Sequence, residues 1–311
     1  MKCFRLFLLA AGTALSFLAT MPKRALACAT CSCGDPTLTI QGMEKPYAGR
    51  LRFSLEAIYN SEKFGPPGPI APGNEHHEIW DGRLLLGTSW TPHERITLNL
   101  QIPLAIRHLD HFDGDPPEQT AGLGDVEFSG RVYLFRDDTS RHLAGLLAGA
   151  RFPTTISHEY ADGSPYSIDA EPGQGQWAPM VGAWYGYYNF PRFLFASVNA
   201  LLPVGHGIAD AEGSFDGGRA VAATLTGQYS MTGRFGVQLG FDTRWSERHQ
   251  SLNGHPEDSG GFLGSITPGI VFSPVEDLLF RAYVQVPVAK DFNGYQRQGP
   301  AVGGALVYDL R

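Results

Sequence analysis

The sequence predicts an all-β protein, a transmembrane antiparallel β-barrel of about twelve strands. Two observations predict it. Between Gly49 and Leu310, short segments alternate apolar and polar residues, and the connections between these segments alternate long and short. A strand with lipid on one side and a polar lumen on the other has this period of two, and outer-membrane barrels join their strands by long loops at one end and short turns at the other.

Four strands show the alternation most clearly. Their apolar members are Leu51, Phe53, Leu55, Ala57 and Tyr59; Ile96, Leu98, Leu100, Ile102, Leu104 and Ile106; Phe235, Val237, Leu239 and Phe241; and Phe280, Ala282, Val284, Val286 and Val288. We expect the charged residues of the other face to line the lumen, where their mixed signs would brace the wall by ion pairs. The predicted lumen-lining residues are Arg50, Arg52, Glu56, Asp81, Arg83, Arg107, Asp125, Glu127, Arg131, Asp242, Arg244 and Arg281.

The connections set the order of the strands and the width of the barrel. Long loops are predicted near 61–76, 109–122, 153–174, 205–218, 247–260 and 290–298, and short turns at 91–94, 136–141, 190–192, 231–233 and 273–277. Twelve strands lie between barrels of eight, which side chains fill, and open porins of sixteen or more. We therefore expect a narrow or gated passage, or a braced wall that transports nothing.

Prolines and aromatic residues mark the predicted strand ends. The steps Ile102-Pro103-Leu104, Leu202-Pro203-Val204 and Val286-Pro287-Val288 would end strand pairing at the outer rim, since proline donates no ladder hydrogen bond. Aromatic belts at the two membrane interfaces are expected from six residues. These are Trp80, Trp90, Trp177, Tyr185, Tyr187 and Trp245.

The chain is divided into three segments. Residues 1–27 read as a signal peptide, with Lys2 and Arg5, an apolar run and an Ala25-Leu26-Ala27 cleavage site. Residues 28–46 form a Cys-rich periplasmic tail, and residues 47–311 form the barrel. This predicts the outer membrane of a Gram-negative bacterium, with both termini in the periplasm.

The charge of the mature chain limits its partners. Removing residues 1–27 takes away four of the 24 Lys and Arg residues and none of the 31 acidic residues, leaving a net charge of −11. Such acidity argues against a nucleic-acid partner. The expected partners are outer-membrane lipid and a small-molecule substrate.

The Cys-rich tail carries the sharpest local motif, Cys28-Ala29-Thr30-Cys31-Ser32-Cys33. Its thiols could form one disulfide with a thiol left over, hold a soft metal ion, act as a redox pair, or dock a partner. Acylation of Cys28 is a further alternative. Spacing alone does not decide among these.

Histidines and acidic residues near the outer strand ends are candidate chemical sites. His76, His77, His108, His111 and His158 lie where a barrel hydrolase would place its base, but no Gly-x-Ser-x-Gly elbow marks a nucleophile, so we expect no enzyme. The outer loops are rich in Asp and Glu, as expected of solvated loops. These acidic residues could alternatively hold divalent cations.

Four motifs carry a family resemblance: Gly122-Leu123-Gly124-Asp125, Gly173-Gln174-Gly175-Gln176-Trp177, Thr267-Pro268-Gly269 and Val284-Gln285-Val286-Pro287-Val288. In this order they resemble the motifs of the outer-membrane family named for the meta-pathway of phenol degradation. The resemblance implies a β-barrel with a role in the passage of hydrophobic or aromatic compounds. The Cys-rich tail and the last residues, Tyr308-Asp309-Leu310-Arg311, depart from what the resemblance implies.

The sequence therefore predicts an outer-membrane channel for passive or gated passage of small hydrophobic or aromatic molecules. The alternative is a barrel scaffold that docks a periplasmic metal or redox protein, as an electron conduit does, through Cys28, Cys31 and Cys33.

Overall fold

The protein is a closed antiparallel β-barrel, seen here in a computed structural model. The structure describes residues 48–65, 77–111, 116–137, 139, 141–210, 213–214, 216–249, 259–293 and 296–310. The signal peptide and the Cys-rich tail lie outside these residues, so both stay predictions. Within the described segments, no helix combines the length and the hydropathy needed to cross a bilayer.

The described residues contain sixteen β-segments and one 3₁₀ turn. The segments are β1 Leu51–Phe64, β2 His77–His93, β3 Ile96–His111, β4 Glu118–Leu123, β5 Val126–Arg136, β6 His142–Phe152, β7 Ala178–Asn189, β8 Arg192–Leu201, β9 Ala209–Asp210, β10 Gly213–Ser214, β11 Ala220–Ser230, β12 Phe235–Ser246, β13 Gly261–Val275, β14 Leu278–Phe292, β15 Arg297–Gln298 and β16 Ala301–Leu310. The 3₁₀ turn spans Ile168–Ala170.

Twelve strands form the wall, as the sequence predicts. β4 and β5 follow one another along β3, β15 and β16 follow one another along β1, and β9–β10 is a separate hairpin in a loop. Every other segment pairs with its neighbours in chain order. The barrel closes where β1 pairs with β16. Leu51 is opposite Leu310, so the start of the first strand and the end of the last strand lie at the same end of the barrel.

The two faces of the wall differ in chemistry. Phe53, Leu55 and Tyr59 of β1 are exposed on the outer surface, whereas Arg52 and Glu56, which alternate with them, are buried. The same contrast recurs around most of the barrel. A continuous band of exposed apolar side chains is the surface that a bilayer covers, and strands of 10 to 17 residues are long enough to cross one.

The aromatic belts lie at the two ends of this band. Trp80 and Trp177 are exposed near the long loops, and Trp90 is exposed near the short turns. Tyr185 lies with His142 at the short-turn end, its hydroxyl 2.7 Å from the imidazole Nδ1. These are the positions at which amphipathic rings meet the headgroup level.

The predicted long and short connections alternate as expected, but three of the long ones are shorter than predicted. β1 continues to Phe64, β3 and β4 occupy most of the range 109–122, and β14 and β15 occupy most of the range 290–298. The apolar alternation fades there because these strands continue past the apolar band. The outer face then no longer meets lipid, so it need not be apolar.

The prediction that prolines end the strands is wrong for two of them. Pro103 lies inside β3 and Pro287 inside β14. The carbonyl of Pro103 accepts a hydrogen bond from the amide of Gly124, but proline has no N–H to donate in the opposite direction. Pro103 lies where the pairing of β3 changes from β4 to β5. Pro287 lies beside a register shift between β13 and β14. These prolines therefore mark irregularities within the wall.

Candidate functional site in the barrel lumen

At the short-turn end of the lumen, two arginines share one carboxylate. Arg50 and Arg52 each make two hydrogen bonds to Asp309, with nitrogen–oxygen distances of 2.6 to 3.0 Å. All three residues have little exposed side-chain surface. This cluster ties β1 to β16 at the seam where the barrel closes.

In the middle of the lumen, a second polar cluster links β1, β12 and β14. The hydroxyl of Tyr283 donates to Glu56 at 2.8 Å, and the guanidinium of Arg281 donates to Gln238 at 2.7 Å. Arg281 also lies over the Tyr283 ring, 4.4 Å from its centroid. Nearby, Asp242 accepts hydrogen bonds from Thr224 and Thr267.

A third cluster lies toward the long loops on β2 and β3. Asp81 contacts Arg83 at 2.7 Å and Arg107 at 3.2 Å. On β5 and β6, Glu127 lies 3.6 Å from Arg151. These ion pairs run along the wall between neighbouring positions, so they brace the strands that carry them.

Two other predicted residues lie on β5 and β12. Arg131 of β5 is buried, with its guanidinium carbon 5.8 Å from the centre of the Trp184 ring. Arg244 of β12 is half-buried. The last predicted lumen residue, Asp125, binds the loop that follows β6.

The lumen also has an apolar patch, which the sequence reasoning missed. It consists of buried residues of β5 to β8: Tyr133, Leu143, Leu147, Met180, Trp184, Tyr188 and Phe195, with Phe193 and Leu201 packed against them. One feature of the sequence could have revealed this patch: β6 and β7 do not alternate apolar and polar residues, because both of their faces are apolar. The lumen is therefore polar on the β1–β3 and β12–β16 side and largely apolar on the β5–β8 side.

Three polar atoms in or beside the apolar patch have no partner within the described residues. They are Trp184 Nε1, Ser197 Oγ and Asn199 Oδ1, all buried on β7 and β8. Trp184 and Ser197 are register partners across these strands. A buried polar atom without a partner costs free energy. These atoms can therefore form hydrogen bonds with water or with a ligand.

At the long-loop end of the lumen, the loop 153–177 folds inward; we call it the inward loop. Its main attachment is Asp125, at the break between β4 and β5. The Asp125 carboxylate accepts hydrogen bonds from the backbone amides of Gln174 and Gly175 and from the amide and hydroxyl of Thr155, at 2.8 to 3.2 Å. Two of the glycine-containing motifs noted in the sequence thus meet at one carboxylate.

The middle of the inward loop enters the lumen. Ala170 is completely buried and packs against Phe64, Ile79 and Leu109, which lie on β1, β2 and β3. The hydroxyl of Thr120 donates to the carbonyl of Ala170, and Arg107 donates to the carbonyl of Asp169 at 3.1 Å. The 3₁₀ turn therefore lies inside the lumen against β1–β4.

Two buried glutamates hold the rest of the inward loop. Glu118 accepts from the hydroxyl of Tyr160 at 2.6 Å and from the amide of Ser167 at 2.9 Å. Glu171 lies within hydrogen-bond distance of both the amide and the imidazole of His158. These two acidic residues are not solvated as the sequence suggested, because each one satisfies donors of the loop. At the exposed tip, hydrogen bonds from the hydroxyl and amide of Ser164 lower the pKa of Asp162.

The inward loop is also connected to the next loops around the rim. Gln176 donates to the carbonyl of Gly205 and accepts from the amide of Gly217 at 2.8 Å. The neighbouring amide of Gly218 donates to His249, which is itself buried. The mouth at the long-loop end is therefore a connected structure, in which moving one loop disturbs the others.

The remaining chemical candidates are placed as follows. Cys28, Cys31 and Cys33 lie outside the described residues, so their disulfide, metal and redox roles stay predictions. His76 also lies outside them. His108 is half-buried, His158 is paired with Glu171, and His77 and His111 face one another at the rim.

Comparison with known proteins shows the fold. An outer membrane channel from Pseudomonas putida F1 has 12% sequence identity and a TM-score of 0.67, covering 86% of this chain and 98% of that one. The transport unit of the autotransporter AIDA-I from Escherichia coli has 11% identity and a TM-score of 0.51, covering 86% and 92%. No family model matches the sequence, and no match was found among curated proteins.

Fold and site together define the class, a transmembrane β-barrel with a side-chain-lined lumen and a loop that folds into one mouth. Its lumen has an apolar patch on the β5–β8 side. The resemblance to the meta-pathway family stays a prediction.

Proposed function

We propose that the protein is an outer-membrane channel for passive, gated passage of small molecules with an apolar or aromatic body. The observation that carries this proposal is the apolar patch on the β5–β8 side of the lumen. In this proposal the long loops face the cell exterior and both termini lie in the periplasm. The fold it shares with a protein described as an outer membrane channel supports the proposal.

The chemistry of the patch favours an apolar solute. Aromatic and aliphatic side chains offer a favourable surface to an apolar molecule, at about 25 cal/mol for each Å² removed from water. Leu147 and Phe195 offer no polar group that could replace the hydration shell of an ion. The unpartnered Trp184 Nε1, Ser197 Oγ and Asn199 Oδ1 could bind one polar substituent of such a solute.

The inward loop supplies the gate of the proposed channel. It occupies the lumen beside Phe64, Ile79 and Leu109, and its attachment to Asp125 consists of hydrogen bonds rather than a covalent link. In this proposal, passage requires that these bonds open and that Ala170 leaves its contacts with Phe64, Ile79 and Leu109. The mechanism is then diffusion down a gradient, with no source of energy in the barrel.

The resemblance to the meta-pathway family agrees with the same solute class, and membership of that family is part of this proposal. The redox-docking alternative depends on Cys28, Cys31 and Cys33. The residues that the structure describes give this alternative no support.

Interruption of ion current by an aromatic alcohol tests the proposal. The mature protein is placed in a planar bilayer, and benzyl alcohol is compared with erythritol, a polar solute of similar size. We expect benzyl alcohol to interrupt the current and erythritol to have little effect. If the wild-type barrel carries no current, the comparison is made in an Asp125→Ala background.

Two adjacent leucines provide the matched variants. Leu147 is 3% exposed and faces the lumen, whereas Leu146 is 52% exposed and faces outward. Leu147→Ala should shorten the interruptions at least several-fold, and Leu146→Ala should leave them unchanged. Equal interruption by both solutes, or equal effects of both variants, would contradict an apolar path through the lumen.

A further inference from the structure

Two histidines face one another at the long-loop rim of the lumen. His77 begins β2 and His111 ends β3, and the two residues are register partners. Their Nδ1 atoms lie 3.0 Å apart, and the ring planes meet at 83° with centroids 4.9 Å apart. Both side chains are half-buried on the same wall of the rim.

This separation fits two nitrogen ligands of one metal ion. With metal–nitrogen bonds of about 2.0–2.1 Å, two ligands lie about 2.9 Å apart at a right angle and about 3.3 Å apart at the tetrahedral angle. The observed 3.0 Å lies between these values. Imidazole nitrogens are preferred ligands of Cu²⁺, Ni²⁺ and Zn²⁺, and Cu²⁺ binds most tightly of these.

A carboxylate lies close to one of the two imidazoles. Glu118 Oε1 lies 3.6 Å from His111 Nε2, the ring nitrogen not facing His77, which is too far for a hydrogen bond but near enough to stabilise positive charge on a metal-bound imidazole. A histidine that binds a metal through one nitrogen commonly has a carboxylate beside the other, which fixes the tautomer and the ring orientation. Glu118 is buried and is held in place by Tyr160 and Ser167 of the inward loop.

We propose that His77 and His111 form a binding site for a divalent transition metal, with Cu²⁺ the tightest-bound ion. The two Nδ1 atoms are the protein ligands, solvent completes the coordination, and Glu118 is the nearby negative charge. No larger group of metal-binding side chains occurs among the described residues, so this is a two-ligand site. A metal there would join β2 to β3 next to the carboxylate that holds the inward loop.

The simpler arrangement is a hydrogen bond between the two rings, one Nδ1–H donating to the other Nδ1. Both arrangements bring the nitrogens close together, but only a metal site binds Cu²⁺ through two imidazoles at once. The count of bound imidazoles therefore separates them.

The test uses Cu²⁺ as the probe and the full mature chain, with thiols alkylated so that Cys28, Cys31 and Cys33 do not bind it. Affinity is measured by calorimetric titration, and pulsed electron paramagnetic resonance counts the imidazoles on the copper. The variants are His77→Gln and His111→Gln. The control is His206→Gln, a rim histidine whose imidazole lies 2.7 Å from Asp216.

We expect one copper site with two imidazoles in the wild type. Each of His77→Gln and His111→Gln should weaken binding at least tenfold and leave at most one imidazole, while His206→Gln should behave as the wild type. Heat-dependent gel mobility shows that each variant is folded. Wild-type binding with fewer than two imidazoles, or unchanged binding in both variants, would overturn the proposal.

Discussion

The carboxylate of Asp125 lies 2.8 Å from the backbone nitrogen of Gln174 and 3.0 Å from that of Gly175. This contact joins the break in one wall strand to the end of the loop that crosses the lumen. Gly173, beside these residues, leaves no room for a side chain, since an added Cβ would lie 2.2 Å from Thr155 Oγ1 and 2.9 Å from the carboxylate. The glycine-led motifs therefore serve one local structure, a carboxylate wrapped by backbone amides.

Overpacking Ala170 should release the inward loop. Ala170→Ile adds volume where Phe64, Ile79 and Leu109 already surround the side chain, which costs about 1–3 kcal/mol. The loop should leave the lumen, and chymotrypsin should then cleave after Tyr166 about tenfold faster or more. Ala161→Ile, at an exposed position of the same loop, is the control. Equal cleavage of the two variants would show that Ala170 does not hold the loop.

A methyl group at Gly303 should destabilise the barrel. An added Cβ there would lie 2.2 Å from the Tyr283 ring, which covers this glycine while its hydroxyl donates to Glu56. Gly303→Ala should displace the ring and destabilise folding by about 1–3 kcal/mol, measured as a lower midpoint of heat-dependent gel mobility. Gly227→Ala is the control, because its Cβ would meet nothing within 4 Å. Similar midpoints for both variants would argue against close ring packing.

The orientation of the barrel can be tested by labelling intact cells with a membrane-impermeant maleimide. Ser164→Cys lies at the exposed tip of the inward loop, and Thr232→Cys lies in an exposed short turn. We expect label at residue 164 and none at residue 232 above the wild-type background. The opposite pattern would invert the barrel and place the long loops in the periplasm.

How far the sequence predicts this structure differs from strand to strand. β1 alternates Phe53, Leu55 and Ala57 with Arg52, Ser54 and Glu56, so one face could be assigned to lipid and the other to the lumen. β6 and β7 are apolar on both faces, so their inward residues could not be recognised from a period of two. The apolar patch was missed for this reason.

The contacts at the long-loop mouth could not be predicted from the sequence for another reason. Asp125, Gln174 and His77 are far apart along the chain, and nothing in local spacing says that a loop folds inward. Asp125 was predicted to line the lumen, but its binding of backbone amides depends on the strand break opposite Pro103. In the sequence His77 stands out only as one of several histidines near the outer strand ends, and the spacing does not show that its partner in the structure is His111.

Single-channel conductance of the wild type and Asp125→Ala tests the central claim most directly, namely that the inward loop closes the channel. Asp125→Ala removes the acceptor of several hydrogen bonds to a charged group, each worth about 1.5–3 kcal/mol. Asp162→Ala, which removes a carboxylate from the exposed tip, is the control. We predict low conductance in the wild type and the control, and a several-fold increase in Asp125→Ala. A folded Asp125→Ala barrel with the conductance of the wild type would contradict the account.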